Sequence, residues 1–128
     1  MTRLVPILLL LATPALAGEV EEVARLAPKY GGRTEVRLPC GARVDLLTDT
    51  HAIEADWATS KVYEAIGQAL YYSIETGKRP GIILLSRDPE REQRYIARCR
   101  KVCEVYQIDL WIEPVPVPDR RMSRRLRR

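Results

Sequence analysis

The sequence predicts a three-layer α/β domain with a mixed sheet, its elements ordered helix, three strands, helix, strand, helix, strand. Three observations carry this prediction. Thr34 to Thr48 alternates polar and apolar residues on either side of the turn Pro39-Cys40-Gly41, the pattern of a hairpin. Ile82-Ile83-Leu84-Leu85 is an unbroken apolar run, which suits a strand covered on both faces. The segments between Lys61 and Thr76 and between Ser86 and Tyr106 carry apolar residues at helical spacing.

Glu19 to Tyr30 places Val20, Val23, Ala24, Leu26 and Ala27 along a short amphipathic helix, which Pro28 and Gly31-Gly32 should end. Thr34 to Leu38 and Ala42 to Thr48 are the hairpin strands, and Ala52 to Trp57 is the third strand. The following helix has Lys61 on its first turn. Lys61, Gln68 and Tyr72 fall on one stripe at a hundred degrees per residue, opposite the apolar Val62, Ile66, Ala69 and Leu70. Thr76 to Gly81 ends this helix and leads into the apolar strand. A further helix is expected to begin near Ser86-Arg87-Asp88-Pro89, with Asp88 as cap and Pro89 in the first turn. Its buried stripe would be Tyr95, Ile96, Cys99, Val102, Cys103 and Tyr106. Ile108 to Ile112 is the last strand, since Pro114 to Pro118 is too rich in proline to continue it.

Met1 to Ala17 reads as a signal peptide: Arg3 is a basic start, Leu4 to Ala12 an apolar stretch, and Ala15-Leu16-Ala17 a small-x-small cleavage signal. The apolar stretch is short for a permanent span, so no stable membrane span is expected after cleavage. A retained N-terminal anchor is the alternative. The expected product is periplasmic or secreted, with one α/β domain over 18–113 and a Pro-rich, then Arg-rich, tail over 114–128. Six arginines crowd into Arg120 to Arg128, whereas Gly18 to Pro118 holds 14 Lys and Arg against 16 Asp and Glu. The basic balance therefore describes the tail, which could grip nucleic acid, anionic lipid or acidic protein or simply be solvated.

Cys40, Cys99 and Cys103 allow at most one internal disulfide. One helical turn puts the Cβ atoms of Cys99 and Cys103 about 5 to 6 Å apart, beyond the roughly 3.5 to 4.5 Å of a disulfide. Apolar packing is expected of both, with a pairing to Cys40 as the alternative. His51 is the single histidine, too few for a zinc site or a nucleophile–histidine pair, and is expected as a polar surface residue beside a turn.

Two acids interrupt strands that otherwise read as buried. Asp45 lies in Ala42 to Leu47, and Glu54 follows Ala52-Ile53. A carboxylate there is costly unless paired. On adjacent strands the two could converge on a divalent cation, which hard oxygen ligands hold well. Glu54 and Asp56 share a strand face because side chains alternate, and Lys61 would offset their charge.

These residues resemble the PD-(D/E)xK nuclease superfamily, whose fold is restriction-endonuclease-like. Asp45 matches the first acid, Glu54 the second, and Gln68-Ala69-Leu70-Tyr71-Tyr72 the Gln-x-x-x-Tyr of the RecB-like branch. The position two after Glu54 departs from the pattern, being Asp56 rather than lysine, and Lys61 on the helix is its substitute. The resemblance implies an α-β-β-β-α-β-α-β core between Glu35 and Glu113. It also implies Mg2+ or Mn2+ on Asp45 and Glu54, with Asp56 or Glu35 as further candidate ligands. Either Glu21 or Glu22 on the first helix could match an acid that some members carry there, with Glu35 an equal candidate, although a solvated helix start is the favoured role of the pair. Lys61 would orient the attacking water, and Gln68 and Tyr72 would position a phosphate or the lysine. An exported metal-dependent endonuclease or exonuclease is the first expectation. A catalytically inactive binding module of the same fold, for nucleic acid or an envelope protein, is the second. An unrelated envelope interaction domain is the third.

Overall fold

The computed structural model describes residues 14–117. The expected leader up to residue 13 and the arginine run Arg120 to Arg128 lie outside them. Within this range the chain forms α1 (Pro14–Tyr30), β1 (Arg33–Arg37), β2 (Arg43–Leu47), β3 (His51–Trp57), α2 (Val62–Thr76), β4 (Arg79–Ser86), α3 (Gln93–Tyr106) and β5 (Asp109–Pro114). The class is α/β, with one open mixed sheet of five strands and three helices.

The strands lie in sequence order, β1-β2-β3-β4-β5. β1, β2 and β3 are antiparallel neighbours, and β3, β4 and β5 are parallel. This division follows from the connections. Short turns can join only antiparallel strands, while α2 and α3 are long enough to carry the chain back for a parallel one. Val23 and Leu26 of α1 pack on Leu46, Ile53, Ala55, Ile83 and Leu85. On the opposite face, Val62, Ile66 and Ala69 of α2 and Ile96, Cys99 and Cys103 of α3 meet Ile82 and Leu84. The apolar run in β4 is therefore covered on both sides, as its composition predicts, and Gly81 to Ser86 are all buried.

Several boundaries differ from the sequence reading. α1 begins at Pro14 instead of Glu19, crosses the expected Ala17–Gly18 cleavage point without a break, and contains Pro28. Glycine, not proline, ends it: Gly31 takes a positive φ of 72° and its N–H donates to Ala27 O at 3.0 Å. The strand β4 extends through Ser86, and after a turn α3 starts at Gln93 instead of near Ser86. Asp88 caps a tight turn rather than a helix, accepting from the Arg91 N–H at 3.2 Å. Starting late, α3 buries Ile96, Cys99 and Cys103 but leaves Tyr106 62% exposed. β5 continues to Pro114 because a sheet edge tolerates a proline at its end. The thiols of Cys99 and Cys103 sit 3.8 Å apart and unbonded, and Cys40 is free and exposed. Among the described residues no helix is long and apolar enough to cross a membrane.

Candidate functional site

β2 and β3 form the floor of the site. They pair at Leu46↔Ile53 and Leu47↔Ala52. Beyond that point the Ala55 N–H donates to Asp45 Oδ2 at 2.9 Å, so a side chain closes the sheet there. Asp45 and Glu54 thus stand on neighbouring strands, and Asp56 shares the Glu54 face. All three line one cleft of about 530 Å3, which Lys61, Gln68 and Tyr72 also border. The six residues singled out from sequence are brought together.

Their individual settings differ. Glu54 is buried, and its Oε2 finds no hydrogen-bond partner within the protein. Burial first, and then the Asp45, Asp56 and Glu19 carboxylates, hold its carboxyl well above the usual range. Asp45 is raised as well, by burial, although the Ala55 N–H and Arg43 work the other way. Burial likewise raises Asp56, against the help of the Trp57 N–H at 2.7 Å. Tyr72 departs from the expected polar stripe. Its ring is buried with Leu38, Val44 and Ala52, because the hairpin rises over the end of α2. Burial and the Glu54 and Asp45 charges hold its phenol above the ordinary value.

Lys61 lies just before α2 rather than on its first turn, and its ammonium is 3.6 Å from Glu64 with the side chain 74% exposed. It borders the acids without being buried among them. Glu35 is exposed on β1, has a positive φ of 50°, and pairs with Arg43 at 3.8 Å. Its charge nevertheless reaches Asp45 and raises it.

Glu19 is the site residue that sequence reasoning missed. It enters the cleft from α1, and burial, then Asp56 and Asp45, push its carboxyl from 4.5 to about 7. Helical spacing distinguishes it from Glu21 and Glu22: Glu19 stands four residues before Val23 and seven before Leu26, on the stripe that α1 packs against the sheet. Glu22 instead pairs with Arg25 at 2.8 Å, and Glu21 is exposed. His51 is not the surface residue expected. Its Nε2 meets Asp109 Oδ2 at 2.6 Å and its Nδ1 meets Thr50 Oγ1 at 2.7 Å. Arg79 reaches the same aspartate oxygen at 3.0 Å. This clasp ties the start of β3 to β5 and stands apart from the acid cleft.

No protein-family model, curated protein or solved structure matches this chain. The chemistry must be read from the cleft. Among the described residues, no set of three or more His, Cys, Asp or Glu side chains is arranged to hold a metal ion. Magnesium needs no such set, since it commonly takes one or two carboxylates and completes its shell with water and phosphate. Two converging carboxylates with an orphaned buried oxygen fit that requirement. Burial raises both carboxyls, and the Asp45 charge raises Glu54 further, a cost that a cation between them would relieve.

Proposed function

We propose that this chain is a divalent-cation-dependent phosphodiester hydrolase with a restriction-endonuclease-like core. Asp45 and Glu54 would hold Mg2+ or Mn2+. The observation that carries the reading is the pair of crowded carboxyls, one with an unpartnered buried oxygen, in a cleft bordered by Lys61, Gln68 and Tyr72. The resemblance in residue order supports it. A bound cation supplies positive charge that polarises a phosphodiester and lowers the pKa of water. The protein's own part is to fix the ligands on two strands and to hold amide and phenol donors over the same space. Lys61 supplies a mobile ammonium at the rim, able to leave Glu64 for a phosphate or a water.

The test uses calorimetric Mn2+ titration and cleavage of labelled DNA and RNA, comparing the unaltered chain with Asp45→Asn and Lys61→Ala. Asparagine keeps an oxygen for the Ala55 N–H while removing the charge. Expected results are a loss of ion affinity in Asp45→Asn. In Lys61→Ala, affinity is kept and cleavage falls about a hundredfold or more. An unaltered chain that neither binds the ion nor cuts either nucleic acid rejects the reading. A second reading, a binding module without hydrolysis, is favoured by Lys61 pairing with Glu64 and by Asp56 standing at the expected lysine position. Ion binding with no cleavage of any substrate would select it.

A further inference from the structure

Beside the acid cleft lies a surface of opposite character. α3 exposes Arg94, Arg98 and Lys101, spaced four and three residues apart, as one stripe. A body with nearly balanced charge thus gathers Glu19, Asp45, Glu54 and Asp56 in a cleft and presents a row of cations on the neighbouring helix. The guanidinium carbons of Arg94 and Arg98 lie 4.7 Å and 5.8 Å from the centre of the Tyr95 ring. Across the groove from them Tyr63 of α2 is 69% exposed. Tyr63, Tyr95 and Arg98 wall a groove of about 330 Å3, within the size range of small-ligand pockets. Ser60, Lys61 and Glu64 line both this groove and the acid cleft, so the two are continuous.

An exposed aromatic ring across a groove from guanidinium groups suits an unpaired nucleotide. A splayed base stacks on the ring and the backbone phosphates lie along the cations. Duplex bases are already stacked on one another and would leave Tyr63 unused. We propose that the α2–α3 groove binds single-stranded nucleic acid, with a base on Tyr63 and phosphates on Arg94 and Arg98, and leads the strand past Lys61 to the carboxylates. As a route to the cleft, the groove rests on the hydrolytic reading above. As a binding surface it can be measured without it.

The experiment is fluorescence anisotropy of the full chain in EDTA, with labelled oligothymidylate, oligouridylate and a DNA duplex. At least one single strand should bind more tightly than the duplex, and the DNA and RNA arms identify the preferred sugar. Tyr63→Ala should weaken that single-strand binding about tenfold and leave duplex binding unchanged. Arg98→Gln should reduce the slope of log affinity against log salt by about 0.7. The exposure of Tyr63 keeps its replacement from disturbing the core. Equal losses on single strand and duplex, or no loss on either, overturn the proposal. Cleavage with Mn2+ is scored separately. Binding that depends on Tyr63 without any cleavage rejects the hydrolase and keeps the groove, whereas cleavage of single strands indifferent to Tyr63 does the reverse.

Discussion

Glu54 carries a heavy electrostatic burden, a buried carboxyl with one unpartnered oxygen among three other acids. Replacing it with the isosteric neutral amide should relieve that burden. Glu54→Gln is expected to stabilise the cation-free protein at pH 7 by about 1 to 2 kcal/mol, seen as a raised urea midpoint in EDTA, while abolishing Mn2+ binding. Function and stability would oppose each other at this residue. A pH dependence follows from the same acids. The unfolded chain loses these protons near 4.5, while folded Glu19 keeps its proton to about 7 and folded Glu54 keeps its proton longer. The folded state therefore binds more protons, and stability must fall as pH rises from about 4.5 through about 7. Urea midpoints at pH 5 and pH 8 in EDTA should show this fall, and saturating Mn2+ should shrink it.

Helices and strands were legible wherever a periodic pattern stood alone, as in the hairpin and the apolar β4. Boundaries were not: β4 runs on through its Ser86↔Pro114 pairing with β5, and the Asp88-Pro89 signal starts only one turn, with the Glu92 N–H donating to Asp88 O at 3.0 Å, before α3 begins at Gln93. Pairing in a sheet is a long-range event, and a local cap cannot report it. Glu19, by contrast, was legible: it stands four residues before Val23 and seven before Leu26, on the stripe that the tilt of α1 sets against the sheet. Lys29 and Tyr30 fix part of that tilt by donating to Glu113 Oε1 on β5. Burial alone would raise the Glu113 carboxyl, but these two donors draw it below its ordinary value. Close approach within the sheet is also invisible in sequence. A Cβ on Gly81 would meet Trp111 at 2.8 Å and Ile53 at 3.0 Å. Gly81→Ala should cost about 1 to 3 kcal/mol, measured by urea denaturation, because the indole is wedged between Tyr30 and His51.

For the molecule as a whole, the described domain is one sheet with a layer of helix on each side, and its cysteines report its integrity. Cys99 and Cys103 are buried under α3 and Cys40 is exposed. A maleimide should label one thiol in the native protein and three in urea, and a reductant should leave the thermal midpoint unmoved. Mass spectrometry of the labelled chain checks both counts. The candidate site was readable from sequence because its acids break apolar strands. The groove beside it was not, since exposed tyrosines and arginines on helices look like ordinary solvated faces until two helices are set side by side. One detail of the floor governs what can be changed there. Asp45 is at once a wall of the cleft and the rung that holds β2 to β3 at Ala55. Under the proposed metal reading, ion preference and strand alignment are tied to a single side chain, and a variant tuned for a different ion would have to find the backbone at that seam another acceptor.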